Sequence, residues 1–218
     1  MEEHKENEVK EANQNRNIER QSITLVIIMM LALASFVGAY FIFKPKPYFE
    51  YRNLKVYPFK LENTNMLFYS IPLDFEVNGQ AFQKNIVIRN NPYDIENISY
   101  EMNESLFIMG GIGFTMNATL STRALIAAQE ISKLSQTLQI PTFFGVTEQF
   151  EDREVDVFDC INATSIKRVA RLELGNETKI TSENNCIIIT GEDYDHLMMA
   201  SDKLAVEWLK KIVKNEAS

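Results

Sequence analysis

Hydrophobic and polar positions divide the chain into three regimes. Residues up to Gln21 are polar and show no apolar period, the signature of a segment that builds no core. The run ITLVIIMMLALASFVGAYFIF, Ile23 to Phe43, contains no charged residue. Beyond it, apolar residues recur with periods of two and of 3.6, as in a folded domain. A helix needs about 20 apolar residues to cross the hydrocarbon core, and backbone groups in lipid are satisfied within a helix. The pattern therefore predicts a polar tail over 1–21, a transmembrane helix over 22–43, a proline-bearing linker over 44–60 and an extramembrane domain over 61–218. The alternative is a cleaved signal peptide, with Ala32-Leu33-Ala34 or Val37-Gly38-Ala39 as the cleavage site. The apolar run outlasts both sites and is longer than the usual hydrophobic region of about 7–15 residues, which favours an uncleaved anchor. Ala34/Gly38 and Ser35/Ala39 place small residues on one face, where membrane helices can pair into a homo-oligomer.

In the domain, Leu73–Val77 and Gln80–Arg89 flank Asn78-Gly79, the dipeptide of a type I′ turn, and predict a β-hairpin. Phe82, Ile86 and Ile88 alternate with polar neighbours as a half-buried strand does. Asn91-Pro92-Tyr93-Asp94 reads as a turn. Ser105–Phe114 is a short apolar run and predicts a buried strand. A helix follows, capped by Thr119 or Ser121, with Leu125, Ala128, Ile131, Leu134 and Leu138 on one face. Pro141 ends it, and Thr142–Thr147 predicts a second buried strand. Strand, helix and strand with short connections form a βαβ unit with parallel strands. An acidic loop then leads to a strand near Val155–Cys160. Lys167–Leu174 and Asn185–Thr190 predict further strands, with a turn at Gly175-Asn176 between them. The last element is an amphipathic helix from about Tyr194 to Val213, capped by Asp193, with Leu197, Ala200, Leu204, Trp208 and Ile212 as its stripe and Lys210, Lys211 and Lys214 near its end. The fold class is α/β or α+β: a mixed sheet with a βαβ unit and a C-terminal amphipathic helix after one N-terminal transmembrane helix.

Composition narrows function more than fold. The 218 residues carry a net charge of −8, most of it beyond the apolar run. An acidic domain without a basic patch repels phosphates, so no nucleic-acid partner is expected. Basic residues flank the membrane run evenly: Lys5, Lys10, Arg16 and Arg20 on one side, Lys44, Lys46, Arg52 and Lys55 on the other. The positive-inside rule does not orient the chain. The sequons at Asn97, Asn103, Asn117, Asn162 and Asn176 all follow the run and place the domain outside the cell membrane, with the N-terminus cytoplasmic. Cys160 and Cys186 also follow it and flank predicted strands, an arrangement suited to a disulfide in an oxidising space; the other reading is two buried thiols.

Candidate chemistry is sparse. His4 and His196 are the only histidines, which removes a multi-histidine metal site from the domain. His196, beside Asp193 and Asp195, lacks the Gly-x-Ser-x-Gly elbow of a hydrolase triad and reads as a solvated surface residue. Gly110-Gly111-Ile112-Gly113 lies where phosphate loops occur, between strand and helix, but lacks Gly-Lys-Ser/Thr and the Gly-x-Gly-x-x-Gly spacing. Glu148, Glu151, Asp152, Glu154, Asp156 and Asp159 gather acids without the spacing of an EF-hand, and read as a solvated loop. No catalytic residue, metal or cofactor is expected.

Three stretches resemble uncharacterised archaeal single-pass membrane proteins with a paired-cysteine extracytoplasmic α/β domain. They are Arg89-Asn-Asn-Pro92, Ala127-Ala-Gln-Glu-Ile131 leading to Ile140-Pro141, and Cys160–Leu209. The last contains Cys-x-Asn-Ala-Thr, Leu-Gly-Asn-x-Thr, Cys-Ile-Ile-Ile-x-Gly and Ala-Ser-Asp-Lys-Leu. The resemblance covers about two thirds of the domain and departs at Asn91, where an acidic residue is usual. It implies an envelope protein and brings no activity with it. The expectation is a membrane-anchored extracytoplasmic binding or scaffold protein, an accessory subunit of a cell-envelope complex with a protein partner. The alternative is an anchored surface hydrolase working through carboxylates, whose paired acids would be spatial rather than sequential.

Overall fold

A computed structural model describes residues 27–37, 47–62, 64–77, 80–102, 110–117, 119–120, 122–149 and 154–216. The chain divides into two compact units, Met1–Lys46 and Pro47–Ser218. In the first, residues 27–37 form a helix, α1, whose side chains are exposed, Phe36 most of all. No helix among the described residues is long and apolar enough to cross a membrane, and the rest of the 22–43 expectation lies outside the described residues.

The second unit is a mixed α/β fold with two sheets. Strands β1 (Phe49–Tyr51), β2 (Leu54–Lys60), β3 (Leu67–Val77) and β4 (Gln80–Ile88) form an antiparallel sheet in sequence order. β1 and β2 occupy the stretch expected as linker, so the linker is shorter than the pattern suggested. Tyr51, Leu54 and Val56 explain why: each is buried in the main core, which a linker cannot offer. The hairpin forms as expected, with Val77 opposite Gln80; the turn residues 78–79 lie outside the described residues. Ile86 and Ile88 are buried, whereas Phe82 is exposed, because Gln80–Asn85 projects past the edge of the core. The turn after β4 is present, with Asp94 N donating to Asn91 O at 2.9 Å.

The second sheet has the order β5 (Ser99–Glu101), β9 (Lys179–Glu183), β10 (Cys186–Gly191), β8 (Lys167–Leu174), β6 (Gly111–Met116), β7 (Thr142–Val146). β9 runs antiparallel to β10, and the other pairs are parallel. The predicted βαβ unit is β6, α2 (Thr122–Thr137) and β7, with the two strands parallel and adjacent. Helix α2 ends one turn before Pro141: Gln139 takes φ 58° and Ile140 N donates to Ser135 O at 2.9 Å, closing the last turn. Its buried face is the expected one at Ala128, Ile131 and Leu134, with Leu138 packed against the same core, and it departs at Leu125. Ala124, Ala127, Ala128, Ile131 and Leu134 are buried, and Leu125 is exposed. Alanines let the helix approach its neighbours closely, and Leu125 falls one position off that face. The glycine run lies partly in the strand expected over Ser105–Phe114: Gly111 and Gly113 are within β6, not in a phosphate-type loop. A Cβ on Gly113 would overlap the rings of Phe143 and Phe158, which cover that face of the sheet.

Helix α3 (Tyr194–Glu216) begins where Asp193 Oδ1 accepts His196 N at 2.8 Å, as the cap reading requires. Leu197, Ala200, Leu204 and Trp208 are fully buried. One apolar cluster joins α2 and α3 to Ile112, Phe114, Leu172, Ile187 and Ile189 of the large sheet and to Ile71, Leu73, Ile86 and Ile88 of the small one. Ala200–Val206 is buried all round, the condition of a helix enclosed by protein. Lys203 is buried with it and donates to Glu96 O at 2.9 Å.

The opposite face of the large sheet carries a smaller cluster of Phe158, Val169, Cys186 and Ile188. The strand expected at Val155–Cys160 is only an isolated bridge, Val157 to Val146, followed by a 3-10 turn at Cys160–Asn162. Cys160 is bonded to Cys186 of β10, with Cα atoms 5.2 Å apart. The bond ties the crossing segment onto the sheet, and the free-thiol reading is excluded.

Candidate functional site

Three separate elements converge on Arg89, the residue after β4. Its backbone N–H and that of Asn90 donate to Asp202 Oδ2 at 3.0 and 2.9 Å, and Asn90 Nδ2 donates to the same oxygen at 2.9 Å. Asp202 is 1% exposed. Burial pushes its pKa up to about 6, against the pull of the hydrogen bonds from Asn90 and Arg89, and the charge of Glu130 adds to the rise. The Arg89 side chain turns to α2, where Nε meets Glu130 Oε1 at 3.2 Å; Lys133 Nζ holds Glu130 Oε2 at 3.1 Å. Glu130 sits between Ala127 and Leu134 at helical spacing, so the backbone aims it inward, and two cations neutralise it there. Glu130 and Lys133 form an (i, i+3) pair on one face of the helix.

Beside this network lies a cleft of about 410 Å³ lined by Phe59, Leu61, Phe68, Ile86, Arg89 and Lys133 among others. Phe59 and Phe68 are opposite each other on β2 and β3, with ring centroids 5.9 Å apart and planes tilted by 30°. The Arg89 guanidinium carbon is 5.7 Å from the Phe68 centroid, within cation–π range. The cleft therefore has an aromatic wall, a helix wall and a charged rim. It can hold apolar side chains and attract an anion. Its one acid, Glu130, is clamped, and Asp202 lies outside its lining.

The residues singled out from the sequence do not gather here. His196 is at the start of α3, where Nδ1 lies 2.8 Å from Asp193 Oδ1; that bond raises the histidine pKa. The glycine run is structural. Of the acidic stretch, Glu148, Glu154 and Asp156 are exposed, Glu151 and Asp152 lie outside the described residues, and Asp159 caps the 3-10 turn and faces Arg171 at 3.5 Å. No group of three potential metal ligands occurs among the described residues. Asn97, Asn117, Asn162 and Asn176 are exposed, and Asn103 lies outside the described residues.

What residue-level reading missed is the Arg89–Glu130–Asp202 constellation. Its signal was an acid on the buried side of each of two helices: Glu130 one residue from Ile131, and Asp202 inside Ala200–Val206. The three stretches that carried the resemblance each contribute one member. No family model, curated protein or solved structure matches the chain.

Proposed function

We propose that the chain is a membrane-anchored binding or scaffold module facing out of the cell, an accessory subunit of an envelope complex. One observation carries the binding reading: the cleft offers an aromatic wall and two cations that share one acid, Glu130, while that acid and Asp202 are committed to structure. The membrane location is supported by the charge-free run Ile23–Phe43. The outward orientation is supported by the five sequons beyond that run, four of them exposed among the described residues, and by the disulfide. The archaeal envelope setting rests on the resemblance alone. Pairing through Ala34/Gly38 is the proposed route to a homo-oligomer.

A carboxylate hydrolase is the second reading, and the raised pKa of Asp202 is what favours it. Against it, one oxygen of Asp202 accepts three protein donors and the residue is buried. Alkaline extraction of membranes carrying the full chain, with protease treatment of intact cells, tests the main reading. The expected result is a chain that stays in the membrane pellet and loses its domain to external protease. A soluble chain, or a domain that survives intact, would overturn it.

A further inference from the structure

We infer that the outer edge of β4 takes up an extended acidic peptide of a partner protein as an additional strand, with α2 as the flanking wall. The inference rests on the binding-module reading and names the chemistry of the partner. β4 is the last strand of its sheet and has no strand on its outer side among the described residues. An edge strand presents unpaired N–H and C=O groups, and an extended chain satisfies them by adding to the sheet. The cleft lies on this edge: Asn85, Ile86, Val87 and Arg89 line one side, and Glu130, Lys133 and Thr137 of α2 line the other. A groove between an edge strand and a helix suits a single strand, with backbone bonds to β4 and alternate side chains directed toward Lys133 and Thr137 of α2. The Asn85–Ile88 stretch, which stops short of Arg89 because Asp202 already takes that N–H, spans about 14 Å at the usual strand rise.

Charge selects the sign of the guest. The side chain of Lys133 is 59% exposed and that of Arg89 34%, whereas Glu130 is 8% exposed and already sits between them. The exposed part of the rim is therefore two cations against one buried acid, one positive charge in excess, although the chain as a whole carries −8. An acidic side chain on the peptide, placed opposite Arg89, would pair with the rim. A second copy of this chain fits less well, because two-fold pairing of β4 would bring Arg89 and Lys133 of both copies into one groove.

The test uses the full chain in lipid nanodiscs, panned against a displayed library of random short peptides. Recovered peptides are synthesised with a fluorophore and their binding is read by anisotropy, with hydrogen exchange followed across residues 80–89. The expected peptides alternate apolar and polar positions and carry Asp or Glu. Lys133→Glu, a change at an exposed side chain, lowers their affinity by about tenfold or more. N-methylation of alternate peptide amides abolishes binding without touching the protein, and bound peptide slows exchange in β4. Peptides that bind but ignore both Lys133→Glu and N-methylation overturn strand addition and leave the binding-module reading standing. No recovery above empty nanodiscs overturns both. Protection of β4 that grows with protein concentration and without peptide assigns the edge to a second copy and overturns the proposal.

Discussion

Asp202 offers the sharpest test of the physical account, because it sits buried against three donors. Replacing it with alanine leaves Arg89 N and Asn90 N, both in partly buried residues, without that acceptor; the Asn90 side chain can turn away. Each donor left without a partner costs about 1–3 kcal/mol, so Asp202→Ala should cost about 2–6 kcal/mol. Asp202→Asn keeps an acceptor and removes the charge. The two proteins should therefore differ in their response to pH. A carboxyl raised from 3.8 to about 6 on folding binds its proton more tightly in the folded state. Its contribution to stability is complete below the unfolded pKa and is lost as pH climbs through the folded one. That linkage is worth about 3 kcal/mol at most. The advantage of the wild type over Asp202→Asn should shrink by up to that amount between pH 4 and pH 7. Trp208, the single tryptophan and fully buried, reports unfolding of this unit in the full chain by fluorescence under denaturant. Parallel pH profiles for the two proteins would refute the reasoning, as would an Asp202→Ala variant within 1 kcal/mol of wild type.

The disulfide closes a separation of 26 residues, which chain entropy values at about 3.5 kcal/mol; the Cys160→Ala/Cys186→Ala protein should lose most of that in the same assay. A Cβ on Gly191 would overlap the backbone of Leu197 at the β10–α3 junction, so Gly191→Ala should destabilise by about 1–3 kcal/mol, read as a lowered Tm. Asp193→Asn should lower the pKa of His196 in an NMR titration. In the wild type, that pair supports the fold most below the ordinary histidine value and progressively less as pH rises through the raised one.

Some of the architecture was legible because local pattern and tertiary role agreed. Pro141 and the 3.6 period set the end of α2, and the βαβ unit followed from short connections. Asp193 was readable as a cap because capping is a contact between near neighbours. β9 was not readable: in Lys179–Glu183 only Ile180 is buried, so no alternation stands out. β5 is three residues long, and β1 and β2 lie between a proline pair and the domain proper. Leu125 misled because the helix packs through alanines, and volume rather than hydrophobicity decides which face can approach. The Arg89 network joins positions 41 and 113 residues apart. No spacing rule reaches that far; only the placement of Glu130 and Asp202 on buried helix faces hinted at it.

The strap from Phe158 to Cys160 covers Val169 and Ile188 on a sheet face that carries neither α2 nor α3, and one sulfur bond pins it there. That bond is not the only tie. Phe158 N also donates to Val146 O at 3.1 Å, Thr115 Oγ1 donates to Phe158 O at 2.7 Å, and Arg171 faces Asp159 at 3.5 Å. Loss of the sulfur bond would therefore loosen the strap at its Cys160 end while Phe158 stays seated, so reduction would open the edge of the small cluster before its centre.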